Sequence, residues 1–366
     1  MASKLLIRQN KGFTLVEVLV SLVIGLLGIV AMFQVLALWE SLKRTTSAGS
    51  DAQIAGTVAM FGLERDLRVA GMGFSRGTDG TAVPSLGCAV KAKGPTASFS
   101  LVPVQIVDGA GGAPDQIITL SGNSSLYVST QKYKSSTAST KVVDGSYGGF
   151  KVGDVVVAGG ATSAVDCELF EVADVATPGV LGHATALRFN AAPTAITAAA
   201  GFLYNLGPLP QRNVWSIAGT NKDKLFRLDS LYTATPVEVA EGIIDLQAQY
   251  GIDGFGPTSV ATVALQTDGK LEDDDWTNTP PAAAADWSKV IAIRVGLLSR
   301  STQFEKTEVT DGGAGTASAP AWSGGTFTMN AVENATGDAA NWKRYRYRVY
   351  EQVIPLRNVV WGGDFK

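Results

Sequence analysis

The chain has 366 residues, 46% hydrophobic and 17% charged, with 41 glycines and a net charge of −3. That composition excludes a disordered polyelectrolyte, and the lack of bulk positive charge argues against a protein built to neutralise phosphates. One histidine and two cysteines exclude a His-rich or Cys-rich metal centre and leave little acid–base chemistry for an enzyme.

Residues 1–12 carry Lys4, Arg8 and Lys11 and no acid. Phe13-Thr14-Leu15-Val16-Glu17 follows, and then Val18 to Leu38, a run without any charge. Those 21 residues rise about 32 Å as a helix, enough to cross the hydrocarbon core. The basic flank would hold the N-terminal end in the cytoplasm and send the rest across. The run is too long for an ordinary secretory signal, and no small-x-small cleavage site follows it. A plain anchor explains the length but not Glu17, whose charge costs a few kcal/mol inside a bilayer.

The first proline is Pro84, so one helix can run from Phe13 to about Ala70 and end at Gly71 and Gly73. Ile54, Val58 and Phe61 form an apolar stripe at helical spacing, extended by Leu63, Leu67 and Ala70, and expected to pack on a sheet. Gly49, Gly56 and Gly62 each weaken a helix interior by about 1 kcal/mol, so a bend or melted turn is expected around Ser47–Gly56. From Pro84 onward, short β-prone runs alternate with Gly, Pro, Ser and Asp. Strands are expected at Gln116–Leu120, Leu126–Thr130, Asp154–Ala158, Leu169–Val175, Ala186–Phe189 and Phe202–Asn205. Later strands are expected at Leu225–Leu228, Gln247–Tyr250, Val290–Leu298 and Tyr345–Ile354. In the last of these, Tyr345, Tyr347 and Val349 would face one side and Arg346, Arg348 and Tyr350 the other. Basic residues interleaved with aromatics permit a nucleic-acid patch involving Arg344, Arg346 and Arg348, but a half-buried strand with a solvated basic face explains them more simply. Gly109-Ala110-Gly111-Gly112 reads as a turn, since no helix follows it.

Lys11-Gly12-Phe13-Thr14-Leu15-Val16-Glu17 resembles the processing site of type IV prepilins and of type II secretion pseudopilins. The resemblance implies that residues 1–12 are a leader removed after Gly12 by a prepilin peptidase. It implies N-methylation of Phe13, and pairing of Glu17 with the N-terminal amine of a neighbouring subunit. A carboxylate in lipid is tolerable when an ammonium neutralises it, and such a pair sets register.

Glu241-Gly242-Ile243-Ile244-Asp245-Leu246-Gln247-Ala248-Gln249-Tyr250-Gly251 resembles a segment of PilW-type minor pilins and, more loosely, of GspJ minor pseudopilins. Arg65–Gly71, Trp287–Val290, Arg294–Ser301 and Tyr350–Asn358 extend the likeness, whereas residues 84–224 match no family pattern. The fold implied is α+β and type IV pilin-like. A long N-terminal helix over 13–72, membrane-spanning over 13–38, packs on an antiparallel head. A β-rich insert fills 73–224, and core strands fill 225–366. The function implied is a structural minor pilin near the fibre tip that primes assembly. Its implied partners are other minor pilins, the major pilin and a tip adhesin, with no cofactor and no nucleic acid. It would begin as a single-pass inner-membrane precursor of a Gram-negative cell, with a periplasmic head, and end in the extracellular fibre. Alternatives are a GspJ-like pseudopilin, for which the head is large, or a membrane-anchored periplasmic enzyme or binding head.

Cys88 and Cys167 both fall in that exported head. They form either a disulfide closing a loop of about 80 residues or two buried thiols, and an oxidising compartment favours the disulfide. Asp268, Glu272, Asp273, Asp274 and Asp275 form an acidic run. Some pseudopilins bind calcium on loops, which makes Asp268, Glu272, Asp273 and Asp275 calcium candidates. EF-hand spacing is absent, and a solvated acidic loop is the simpler reading. His183 reads as a loop residue, 280–285 as a spacer and 312–325 as a flexible loop.

Overall fold

The computed structural model describes residues 12, 14–74, 86–92, 98–125, 130–145, 149–160, 167–183, 187–189, 200–219, 223–254, 270–282, 284–305, 308–310, 319–329 and 342–360. The chain divides into two compact units, Met1–Ser50 and Asp51–Lys366. Helix α1 (Leu15–Val69) stays helical throughout Ser47–Gly56, so the alternative of a melted turn there does not form. The expected strand at Leu126–Thr130 lies almost wholly outside the described residues. The one at Ala186–Phe189 does not form: Leu187–Phe189 is irregular, and Phe189 instead packs edge-on to Tyr232 at 5.6 Å.

After α1 the chain forms β1 (Ala89–Lys91), β2 (Ser98–Ser100), β3 (Val104–Val107) and β4 (Gln116–Ser121). Next come β5 (Gln131–Ser136), β6 (Thr140–Val143), β7 (Val155–Gly160), β8 (Cys167–Glu171), β9 (Val180–Gly182) and β10 (Gly201–Gly207). Then follow β11 (Gln211–Ala218), β12 (Lys224–Asp229), β13 (Val237–Glu241) and β14 (Ile243–Ile252). The head ends with β15 (Trp276–Thr277), β16 (Val290–Arg300), β17 (Ala321–Trp322), β18 (Gly325–Thr326), β19 (Tyr347–Pro355) and the short helix α2 (Arg357–Val360).

These strands make three principal sheets: β2-β1-β8-β7-β10-β5-β6-β9, β13-β12-β11-β4-β3 and β15-β14-β16-β19. The second takes β3, β4 and β11 from before residue 224 and β12 and β13 from after it, so the expected boundary at 224 falls inside one sheet. Pairing within it is antiparallel, with Val214 opposite both Ile118 and Leu228. In the first sheet, a bridge from Asp174 to Gly182 ties the segment after β8 to β9, so the sheet curls back on itself. Tyr133, Val143, Phe150, Val156, Phe170, Leu181 and Leu203 fill its own small core. Cys88 and Cys167 are joined by a disulfide with Cα atoms 5.8 Å apart. It ties the approach to β1 to the start of β8, next to their parallel pairing at Val90 and Cys167.

His183 is not a plain loop residue. It is buried, stacked on Phe170 at 4.4 Å, with Nε2 3.3 Å from Lys141 Nζ. Lys141, also buried, pairs with Glu168 at 3.1 Å. Burial, and then the Lys141 charge, push the imidazole down to about 4, so it sits neutral beside the ion pair. A lone histidine in a polar stretch gives no sign of this, because its partners come from strands far away in sequence.

The main core gathers Ala59, Leu63, Leu67, Tyr204, Trp215, Leu246, Tyr250, Ile293, Val295 and Leu297, from α1 and all three sheets. The face of α1 that enters it differs from the expected one. Leu63, Leu67 and Ala70 are buried, but Ile54, Val58 and Phe61 point outward and are 60%, 48% and 67% exposed. The inward row begins instead with Ala52, Gly56 and Ala59. Small residues win there because the sheets come close. A Cβ on Gly56 would fall inside the Tyr350 ring, and one on Gly62 would lie 3.1 Å from Trp215.

Candidate functional site

In the first unit, Thr14 caps α1: the Glu17 backbone N–H donates to Thr14 Oγ1 at 3.3 Å. Ser21 Oγ donates to the Glu17 carbonyl at 2.7 Å. Glu17 therefore sits in the first turn, where the helix dipole favours negative charge. Its carboxylate is exposed and has no partner in the chain among the described residues. Gly12 is exposed just before the helix, and Phe13 lies outside the described residues.

Every large apolar side chain from Leu15 to Leu38 is at least 46% exposed. Among the described residues, α1 is the one helix long and apolar enough to cross a membrane. Such a surface must be covered by lipid or by other helices, and a carboxylate on it with no partner among the described residues is costly there.

The second unit grips its part of α1 by polar contacts. Asp66, nearly buried, accepts from Asn213 Nδ2 at 2.9 Å and Trp215 Nε1 at 3.0 Å. Burial raises its carboxyl above the usual range. Ser299 Oγ donates to the Ala52 carbonyl at 2.9 Å, and Tyr350 Oη to that of Gln53 at 2.9 Å. Asn358 Nδ2 donates to the carbonyls of Val69 and Ala70 at 3.1 and 3.0 Å, closing the C-terminal end of α1.

A second polar joint links two sheets. The Asp115 N–H, just before β4, donates to the Leu246 carbonyl of β14 at 2.7 Å. The Asp115 carboxylate accepts from Ala248 N–H and Gly109 N–H, both at 2.8 Å. Asp245, also buried, accepts from Gln247 Nε2 at 3.0 Å through one oxygen, while the other has no partner. Burial pushes Asp115 up to about 6 and Asp245 up to about 7, each carboxylate's neighbouring acid adding to the effect. Tyr250 completes the joint, its hydroxyl accepting from the Ile106 N–H of β3.

The aromatic–basic strand is β19. Tyr347 and Val349 pack on a satellite core with Ile244, Leu298, Phe327 and Met329. Arg346 pairs with Glu305 at 3.2 Å, and Arg300 lies over Tyr345 at 4.5 Å. In the acidic run, Asp268 lies outside the described residues. Asp275 turns inward to accept from the Glu272 N–H at 2.8 Å, and Asp273–Asp275 forms a 3-10 turn. No group of three or more metal-binding side chains forms among the described residues.

A family model described as prokaryotic N-terminal methylation motif matches residues 7–33, over the capped start of α1. One described as type IV pilus-assembly protein W matches residues 218–358, from the end of β11 to Asn358. No curated protein and no solved structure matches the chain significantly. The second match contains Asp245, Tyr250, Ser299, Tyr350 and Asn358, some of the side chains that hold α1 and join the sheets, while Asp115, Asn213 and Trp215 precede it. The methylation motif at its start and the match over much of that gripping surface support a PilW-family type IV pilin.

Proposed function

We propose that this minor pilin is assembled at or near the fibre tip, where it primes assembly together with other minor pilins. Its neighbours are those pilins, the major pilin and a tip adhesin. The prepilin motif implies processing by the prepilin peptidase. The cut follows Gly12, Phe13 becomes the methylated terminus, and Glu17 receives the amine of the subunit above. The observation that carries this reading is Glu17 itself: an exposed carboxylate, without a partner in its own chain among the described residues, on the apolar first half of α1. Before assembly the helix crosses the inner membrane once with the head in the periplasm; afterwards the head is carried in the extracellular fibre. The role is structural rather than enzymatic, and the match over 218–358 favours a pilus over a secretion system.

Two measurements test it. Mass spectrometry of the purified protein should find N-methylated Phe13 as the first residue, and an intact Met1 in fibres would end the prepilin assignment. Immunogold labelling should place the head at fibre ends, with pili nearly lost when the gene is deleted. Label spread along the shaft would reject the tip position.

A further inference from the structure

Three ionisable side chains from separate parts of the chain meet inside the curled first sheet. Lys141 stands on β6, Glu168 on β8 and His183 directly after β9. β6 pairs with β9, and the Asp174–Gly182 bridge brings the chain after β8 against β9. Lys141 Nζ lies 3.1 Å from Glu168 Oε2, and the two side chains are 0% and 3% exposed. The imidazole of His183 spans the pair, with Nε2 3.3 Å from Nζ and Nδ1 4.0 Å from Glu168 Oε1. The surroundings are apolar. Lys141 Nζ is 5.8 Å from the centre of the Phe170 ring, and Phe170 shares its core with Tyr133, whose buried hydroxyl has no partner among the described residues.

We propose that Lys141 and Glu168 condense to an intramolecular amide, with His183 carrying the protons. An ion pair held out of water gains little net stability, because desolvation of both charges offsets their attraction. Moving one proton from Nζ to Oε1 leaves an amine and a carboxylic acid, both neutral and better suited to an apolar interior. Burial already pushes Lys141 below the usual lysine range, although the Glu168 charge opposes the shift. The free amine then attacks Glu168 Cδ. The Nζ–Cδ bond forms, and the carbonyl electrons move onto Oε2. His183 stays neutral, so its Nε2 can take a proton from Nζ while its Nδ1 gives one to Oε1. The Cδ–Oε1 bond breaks, Oε1 leaves as water, and the carbonyl reforms on Oε2. One proton remains on the amide nitrogen, nothing is oxidised or reduced, and no co-reactant is needed. The amide joins β6 to β8 one residue from Cys167, so two covalent links anchor the start of β8, one to the approach to β1 and one to β6.

The test is peptide mapping by mass spectrometry of the full-length protein purified from cells, reduced, alkylated and cut with trypsin. The expected product is one branched peptide made of residues 135–151 and 152–188, uncut after Lys141 and carrying two free α-amines, at Ser135 and Val152. Amine labelling before fragmentation separates it from a linear 135–188 peptide, which has one. Cleavage after Lys141, with the 152–188 peptide recovered alone, would overturn the amide. His183→Gln should lower the branched fraction in freshly synthesised protein by about tenfold or more, while the Cys88–Cys167 disulfide persists as the sign of a folded head. An unchanged branched fraction in that variant would overturn the part given to the imidazole.

Discussion

Glu17 stands in the first turn of α1, so its charge is stabilised at the helix end while its side chain stays free. Replacing it with Val should leave membrane insertion and cleavage unchanged, because neither needs the carboxylate. It should weaken association with the subunit above, read as reduced co-purification with other minor pilins from detergent. Undiminished association with normal piliation would show that Glu17 makes no required pair. If the peptidase cuts after Gly12, as proposed, it needs close access to the backbone there. Gly12→Val should accumulate a precursor about 1.3 kDa heavier than the mature form, from about 110 Da for each of the 12 leader residues.

At the scale of the element, α1 is shaped by what lies on it. Gly56 costs helix stability, yet a Cβ there would collide with the Tyr350 ring. Gly56→Ala should therefore destabilise the protein, whereas in a Tyr350→Ala background the same change should stabilise it by about 1 kcal/mol. Equal effects in both backgrounds, measured by denaturant unfolding, would mean that the ring does not select the glycine. At the other end of the element, Asn358→Ala removes two donors to helix carbonyls. A loss of about 1 kcal/mol is expected, with faster hydrogen exchange in the last turn of α1. The exposed row at Ile54 shows why periodicity alone misassigned the face. Apolar spacing finds a stripe on a helix, but large aliphatics need not be the buried ones. Close approach of backbone to sheet demands small side chains, and hydropathy ranks Gly and Ala below Ile and Phe.

At the scale of the molecule, the joint between β4 and β14 makes the head sensitive to pH. Asp115 and Asp245 have folded values of about 6 and about 7, both above the unfolded carboxyl range. A raised value means that the folded state holds protons more tightly. The stabilisation is therefore complete below about pH 4 and lost as pH rises through 6 and 7. These groups should make the protein more stable at pH 5 than at pH 8, by up to a few kcal/mol. Asp245→Asn should recover much of the difference at pH 8, and equal stability of variant and parent at both values would refute the account. The disulfide works at this scale too. With a sequence separation of 79 it restricts the unfolded chain by about 4 to 5 kcal/mol. Alkylation in denaturant without reductant should label neither cysteine, and full labelling would reject the bridge.

The sequence by itself determined the prepilin-type motif, the apolar helix and its acid, because a charge and a run of apolar residues act on lipid without help from the rest of the fold. It also placed the long strands β14, β16 and β19, whose apolar and aromatic residues need only a sheet to face. It missed β11, whose polar Arg212 and Asn213 are buried, Asn213 against Asp66 of α1 and Arg212 on Ser230. It placed His183 in a loop, where it does lie, but missed its burial, because its charged partners Lys141 and Glu168 lie on strands far away in sequence. Which face of α1 turns inward, how β3 and β4 join β11 to β13, and which carboxylates hold their protons were decided only by tertiary structure. Each depends on distances between segments far apart in the chain, and burial and close packing, not local pattern, set their energies.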